Sequence, residues 1–306
     1  MNKNIFLYKV ERKLLRISAP LLPDRFFLKC LYRMRFGHPL NLENPKSYNE
    51  KLQWLKLHDR RPEYSMMVDK AEVKKYVASI IGEEHIIPTL AVYNRVEEID
   101  FDALPNKFVL KCTHDSGGIV ICRDKDKLDR KDAIKKLKKG LKTNYFYQNR
   151  EWAYKNVKPR IIAEQYMTND SNSAVDELSD YKWFCFDGEP KAMFIATDRF
   201  AEGEETKFDF YDMDFHHLPF TNGHPNASKP ISKPVSFETM KALARKLSTG
   251  IPHVRVDFYD VNGHIYFGEL TFFHWSGMMP FEPEEWDYKF GEWLKLPQLL
   301  TDDVTE

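Results

Sequence analysis

Residues 253–277 read HVRVDFYDVNGHIYFGELTFFHWSG, and this stretch decides how the rest of the chain is understood. Val254, Val256 and Phe258 alternate with Arg255, Asp257 and Tyr259, the two-residue period of a strand. Val261-Asn262-Gly263-His264 then turns the chain into residues 265–271, which predicts an antiparallel hairpin with Asp257 and Glu269 on neighbouring strands. Two carboxylates fixed side by side repel each other and are costly to desolvate, a cost that a divalent cation between them offsets. Oxygen-only ligands suit Mg²⁺, which keeps several waters and bridges substrate phosphates. The alternative is that both acids are solvated hairpin residues, and the remainder of the chain has to separate the two readings.

A length of 306 residues, 42% hydrophobic and 30% charged, is enough for two or three packed subdomains with an ordinary core. Lys plus Arg and Asp plus Glu both number 46, so no global field points to nucleic acid. Basic residues dominate residues 1–35 and acidic ones residues 282–306, which suits a basic face at the N-terminal end. Cys30, Cys112, Cys122 and Cys185 form no C-x-x-C pair, and the Cys112, His114, Cys122 spacing matches no common zinc site. Reduced thiols in a cytosolic protein are expected. No run reaches the roughly 18 apolar residues of a membrane span, and no signal peptide is predicted.

Residues 5–17 predict an amphipathic helix, with Ile5, Phe6, Val10, Leu14 and Ile17 opposite Lys9, Arg12, Lys13 and Arg16. Its apolar face either docks on the body or lies on an anionic membrane surface; docking is the expectation, because apolar helix faces usually pack internally. A second helix is predicted over residues 24–36, between Pro23 and Gly37. Ser47 and Glu50 form a capping box for a helix reaching His58, Pro62 breaks the pattern, and a helix over 71–81 ends at Gly82. Strands are predicted over 86–90, 108–112, 119–122, 161–167, 180–186 and 191–196, and helices over 132–143 and 236–248, the last with Ser236 as its cap. Residues 169–179 read as a loop and 202–235 as a long surface excursion.

Several side chains carry chemistry. The hairpin of residues 108–122 closes on Thr113-His114-Asp115-Ser116-Gly117-Gly118, whose backbone N–H groups can approach phosphate oxygens beside Lys107 and Lys111; a plain tight turn explains the glycines about as well. It is neither a Walker loop nor a G-x-G-x-x-G fingerprint. The segment Glu164 to Met167 can pair with an adenine edge, or is an ordinary buried strand end. Lys182, flanked by Trp183, Phe184 and Phe186, is expected to have a charged partner such as phosphate, and Arg255, on the face of Asp257, suits a developing anion.

The order of these parts is more specific than any one of them. On NPKSYNEKLQWLKL, DKAEVKKYV with IGEEHIIPTL, FVLKCTHDSGG, IIAEQYM, DYKWFCFDGEPK and RVDFYDVNGHIYFGELTFFHWSG, spread over residues 37–297, the chain resembles the TupA-like ATP-grasp proteins of bacterial surface-polysaccharide gene clusters. The resemblance implies an α+β ATP-grasp fold, two subdomains clasping ATP behind a helical N-terminal region. The divisions expected are 1–62, 63–104, 105–167 and 168–306. It implies ATP and Mg²⁺ as cofactors, with Lys70, Lys111, Ser116, Gly117, Gly118 and Lys182 toward phosphates, and Glu164, Gln165, Tyr166 and Met167 at the adenine hinge. Asp257 and Glu269 would hold Mg²⁺, and Thr271 stands where the broader ATP-grasp pattern usually has Asn, so a second metal would be held less completely. Arg255, Lys182, His274 and Ser276 are the candidate catalytic residues, with structural use of His274 and Ser276 an equal alternative.

The activity implied is an ATP-dependent carboxylate–amine ligase joining an amino acid to a uronic-acid sugar or polysaccharide precursor through an acyl phosphate, with either side supplying the carboxylate. By elimination, specificity is expected from residues 37–60 and 200–235. A glycosyltransferase is the rival, but its D-x-D candidate, Asp212-Met213-Asp214, sits in the excursion and no doubly wound pattern surrounds it. A non-catalytic polysaccharide-binding module explains the aromatics and not Lys111, Lys182, Asp257 and Glu269 in this order.

Overall fold

The computed structural model describes residues 5–115, 117–168, 178–198, 203 and 205–298, with side chains from Val10 onward. Helices lead the chain: α1 (Ile5–Ile17), α2 (Asp24–Phe36), α3 (Tyr48–His58), α4 (Glu63–Val68) and α5 (Val73–Ile81). α2 stops at Gly37, whose φ of +83° favours glycine. α3 starts on the predicted capping box, Ser47 Oγ accepting from the Glu50 N–H at 3.2 Å and Glu50 accepting from the Ser47 N–H at 3.3 Å. α5 begins two residues later than its sequence pattern suggests, because Asp69 turns the preceding backbone by accepting from the Ala71 and Glu72 N–H groups.

A first antiparallel sheet, in the order β1-β4-β2-β3, comprises β1 (Thr89–Tyr93), β2 (Phe108–Cys112), β3 (Ile119–Cys122) and β4 (Ile161–Gln165). Helices α6 (Arg130–Leu141) and α7 (Phe146–Asn149) fall between β3 and β4, α6 capped by the Asp129 carboxylate. β1 starts at Thr89 rather than Ile86, because Ile86 instead bridges to Phe267 in the other sheet, and β4 stops at Gln165 rather than Met167.

The second sheet runs β7-β6-β5-β8-β9, all antiparallel: β5 (Asp180–Phe186), β6 (Glu189–Thr197), β7 (Lys207–Tyr211), β8 (Val254–Val261) and β9 (His264–Thr271). β7 lies inside what the sequence suggests is a surface excursion; its KFDFY alternation was the available signal. α8 (Phe237–Ser248) packs on this sheet and α9 (Glu285–Trp293) on α3. Ser236 does not cap α8 through its side chain; its hydroxyl donates to Asp260 instead.

Two hydrophobic cores result. The smaller, with Phe108, Leu110, Leu137 and Ala163, fills the first sheet against α6. The larger joins the second sheet to the N-terminal helices, Phe27 and Leu31 of α2 and Leu52 and Leu55 of α3 sharing it with Phe184, Phe194 and Phe290. α1 docks on the larger core through Leu15, and not through the predicted apolar face as far as it is described, the side chains of Ile5 and Phe6 lying outside the described residues. Val10, Leu14 and Ile17 are exposed, the last two by 61% and 67%, while Arg12 and Arg16 are half-buried.

Candidate functional site between the two sheets

The hairpin β8–β9 forms around Asn262 and Gly263, at φ +54° and +84°, the left-handed pair of a type I′ turn. Its register puts Asp257 opposite Glu269 on one side and opposite Lys182 of β5 on the other. Both faces of β8 are covered, so the alternation marks two interiors: Val254 and Val256 enter the apolar core, and Arg255 and Asp257, 8% and 1% exposed, enter a polar one. That burial excludes the reading of Asp257 as a solvated hairpin residue.

The side chains of this cluster are densely paired. Lys182 Nζ donates to Asp257 and, at 2.7 Å, to Asp180. The Arg255 guanidinium forks onto Asp257 with two bonds of 2.7 Å and reaches Glu269 at 3.3 Å and the Thr271 hydroxyl at 3.0 Å. Its remaining donor goes to His274 Nδ1 at 2.8 Å, which leaves the proton on Nε2, donating to Asn222 Oδ1 at 2.9 Å. Burial, then Arg255, push the His274 pKa well down, so the ring is neutral. Burial opposes charge on Asp257 and Lys182, but their partners win: Arg255 and Lys182 depress the Asp257 pKa, while Asp180 and Asp257 raise that of Lys182. Three carboxylates meet two cations, a formal surplus of one negative charge.

A second cluster carries the opposite surplus. Glu164 of β4, 5% exposed, receives Lys111 of β2 at 2.7 Å and Lys74 of α5 at 2.6 Å. Burial alone would raise its pKa; Lys111 and then Lys74 bring it to about 2. Burial likewise opposes the Lys111 charge, yet Glu164, Tyr259 and Glu269 raise its pKa, which places the two clusters within electrostatic reach.

Each cluster borders a cavity. The first, of about 600 Å³, lies between the sheets with Val109, Ile121, Ala133 and Met167 on its apolar walls and Lys111 and Glu164 at its polar end. The second, of about 550 Å³, exposes Lys182, Arg255, Glu269 and Thr271. β8 runs from one to the other: Tyr259 lines the first and Arg255 the second, about 13 Å apart on one face of the strand, with Asp257 between them.

The floor of the second cavity is the loop after β9. Trp275 and Ser276 hold φ of +49° and +58°, strained for residues with a Cβ. Polar residues of α3 restrain them: Gln53 Nε2 donates to the Ser276 and Gly277 carbonyls at 3.1 and 2.8 Å, and the fully buried Lys56 to the Ser276 carbonyl at 2.8 Å. A Cβ on Gly277 would stand 2.5 Å from Gln53 Nε2 and 2.9 Å from Leu52 Cβ, so α3 approaches only because glycine is there. The Ser276 hydroxyl donates to Glu151 and accepts from Asn149 Nδ2 at 2.9 Å. Burial raises the Glu151 pKa against Lys56, and lowers that of Lys56 to about 7.

The predicted residues therefore divide. Lys111, Glu164, Gln165, Tyr166 and Met167 line the first cavity, and Lys182, Arg255, Glu269, Thr271, His274 and Ser276 the second. Gly117 and Gly118 line neither; their N–H groups donate to Asp115 at 3.3 and 3.1 Å, and a Cβ on Gly118 would sit 2.8 Å from Cys112 Sγ. Lys70 is tied to the Asp115 carbonyl, and Ser116 lies outside the described residues. Glu164 is fully committed to Lys111 and Lys74, so its carboxylate is a lysine anchor rather than a free acceptor at the hinge. Both ring nitrogens of His274 are used, which makes it a positioner of Arg255. Residues 37–60 contribute no lining side chain to the second cavity, and from 200–235 only Phe208 does so among the described residues. Residues 12–35 and 145–154 take that place. Asp180 and Tyr259 were legible from strand alternation with Lys182 and Asp257; Lys74 and Glu151 had no sequence signal.

Mg²⁺ fits this donor set. Glu269 keeps 37% of its side chain exposed at the cavity beside the Thr271 hydroxyl, and the oxygen-rich cluster carries the negative surplus that a hard cation answers. Among the described residues, Asp212, Asp214 and His216 also lie close enough to share an ion, but Asp212 there organises its own turn, accepting from the Asp214 and His216 N–H groups.

The TupA-like ATPgrasp family matches residues 50–295. No curated protein matches the chain. Similar solved structures include the D-alanine–D-alanine ligase of Bacillus anthracis with ATP, 15% identical over 67% of this chain and 53% of that one, TM-score 0.39. The ATP-grasp ligase PsnB with minimal precursor, Mg and ADP is 11% identical over 73% and 57%, TM-score 0.39. The Helicobacter pylori D-alanine–D-alanine ligase is 12% identical over 75% and 62%, TM-score 0.38. The chain thus spans just over half to about three fifths of the length of those structures.

Proposed function

For a chain that belongs to the TupA-like ATP-grasp family and has its α+β fold, we propose an ATP-dependent carboxylate–amine ligase working on a uronic-acid sugar or polysaccharide precursor and an amino acid, in bacterial surface-polysaccharide (capsule, teichuronopeptide or O-antigen) biosynthesis. The observation that carries it is the pair of adjacent charge clusters of opposite surplus, each opening on its own cavity and joined by one strand face. Adenosine occupies the first cavity, its base against Tyr166 and Met167, and its phosphates run past Lys111 toward Lys182. Glu269 and Thr271 are the cavity residues that would hold Mg²⁺, which when bound neutralises charge on the transferring phosphoryl group; Asp257, which lines neither cavity and has both oxygens taken by Lys182 and Arg255, would join them by giving up one of those partners.

In the second cavity a substrate carboxylate oxygen takes the γ-phosphoryl group and ADP leaves. The amine then attacks the acyl carbon, a C–N bond replaces the C–O bond to phosphate, and inorganic phosphate leaves. Glu151, the acid lining this cavity besides Glu269, takes the proton released by the amine, with Ser276 orienting it. Arg255 keeps Asp257 ionised and its donors fixed before the tetrahedral anion forms. No helix among the described residues is long and apolar enough to cross a membrane. The exposed Val10, Leu14, Ile17, Leu21 and Phe26, with Lys13 and Arg25 among them, support peripheral contact with an anionic bilayer from the cytoplasmic side.

The test is a thermal-shift titration with Mg-ATP against Mg-UDP and UDP-sugars. A ligand at about 100 times its dissociation constant adds about 2.7 kcal/mol, enough to read without knowing the acceptor. An ATP-selective, Mg²⁺-dependent shift is expected; a shift with UDP ligands and none with ATP transfers the assignment to a glycosyltransferase. Loss of anionic-vesicle cosedimentation in Leu14→Gln/Ile17→Gln is expected for the membrane contact, and unchanged binding removes it.

A further inference from the structure

The orientation of α1 needs an explanation. The helix packs Leu15 on the core, but it leaves Leu14 and Ile17 in water and presses Arg12 and Arg16 toward the body, which desolvates two cations. Both arginines, one helical turn apart, line the second cavity, joined by Arg35 of α2. Arg12 Nε is shielded from water with no hydrogen-bond partner, and neither Arg12 nor Arg35 has a carboxylate partner among the described residues. Arg35 is held at its position by the Met278 carbonyl at 2.8 Å.

The cations on the sheet wall differ. Lys182 and Arg255 are answered by Asp180, Asp257 and Glu269, and serve the reacting end. Arg12 and Arg35 add positive charge that no carboxylate among the described residues answers, and that charge suits an anion brought by the substrate. Guanidinium forks a turn apart match the several oxygens of a phosphate better than one carboxylate's two.

We propose that Arg12, Arg16 and Arg35 bind a phosphate group that the sugar substrate carries away from its reacting group, so that the substrate is a phosphate-linked sugar and not a free sugar acid. This rests on the ligase reading for the cavity and deepens it by naming the substrate class. α1 thereby acts as the wall that selects phosphorylated substrates, which its exposed apolar face leaves it free to do.

Trp275 lines the same cavity and is 40% exposed, so its fluorescence reports occupancy. Glucuronic acid 1-phosphate is titrated against glucuronic acid in the wild type, in Arg12→Gln/Arg16→Gln and in Arg12→Lys/Arg16→Lys. The expected result is at least about tenfold tighter binding of the phosphate ester by wild type, the preference gone in the Gln pair and partly kept in the charge-preserving Lys pair, which guards against a folding artefact. Equal or absent binding of the two probes by wild type, or a preference that survives in the Gln pair, overturns the proposal. UDP-glucuronate and glucuronate on farnesyl diphosphate assign the phosphate to a nucleotide or a lipid carrier by which binds more tightly. A Mg-ATP thermal shift of the wild type, run alongside, separates the failures: a shift without phosphate preference sinks only the arginine site, and no shift sinks the ligase reading beneath it.

Discussion

The two charge clusters are built alike and biased oppositely. In each, one buried carboxylate sits between two cations: Glu164 between Lys74 and Lys111, and Asp257 between Lys182 and Arg255. The first stops there and keeps a positive surplus; the second adds Asp180 and Glu269 and keeps a negative one. Each hub anion is costly to bury alone and tolerable only with its partners. The difference between them teaches that the charge left over, rather than the pairs themselves, is what each cluster offers a ligand: positive at the first, as the proposed phosphate site requires, and negative at the second, as the proposed metal site requires.

The comparison breaks first at the hubs. Glu164→Gln leaves Lys74 and Lys111 without their carboxylate and is expected to lose about 3–5 kcal/mol in chemical denaturation, whereas Asp257→Asn leaves Asp180 beside Lys182 and Glu269 beside Arg255 and is expected to lose about 1–3 kcal/mol. A loss below about 1 kcal/mol in either would mean that the cluster is wet and the surplus argument fails. Glu269→Gln is expected to behave otherwise, because that carboxylate is partly exposed: unfolding stability stays within about 1 kcal/mol, while the Mg²⁺-dependent part of the ATP thermal shift disappears. Equal ATP shifts with and without Mg²⁺ in wild type would remove the metal from the second cluster.

Removing a surplus cation comes next. Lys111→Met is expected to weaken ATP binding roughly 10–100-fold, the scale of a lost charge-assisted contact of about 1.5–3 kcal/mol, whereas Thr271→Val stays within about tenfold, one neutral hydrogen bond. Equal losses in the two would contradict the assignment of phosphate to the first cluster's cation.

The first hub can also be tested by pH. The Glu164 pKa is held at about 2 in the folded protein, below its ordinary value of 4.5. Its contribution is complete above 4.5 and is lost as pH falls toward 2, since the unfolded chain binds the proton first. Wild type should therefore show a steeper fall in stability across that window than Glu164→Gln, measured by denaturant unfolding at stepped pH; parallel slopes would say that the lysines do not hold the carboxylate.

How far sequence reached can be followed residue by residue. The Ser47 capping box and the Asn262-Gly263 turn were legible because each is a contact between near neighbours in the chain, and the turn put Asp257 and Glu269 on adjacent strands; strict alternation would pair Asp257 with Gly268, and the one-residue bulge there is what brings Glu269 opposite it. Asp180 and Tyr259 obeyed the same two-residue period and could have been read. Glu151 could not, because nothing local marks it: it meets Ser276 across 125 residues.

The chain by itself determined the closing hairpin and the face that Arg255 and Asp257 share, since periodicity and turn chemistry act over a few residues, while the family and its α+β class came from the order of its motifs. Only the tertiary structure decided which cations neutralise which acids and that Glu164 anchors two lysines. It also decided that α3 pins the Trp275–Gly277 loop and that α1 turns its arginines inward. An amphipathic helix has two faces in its sequence, and which one meets the body depends on the charges that distant segments bring to that surface.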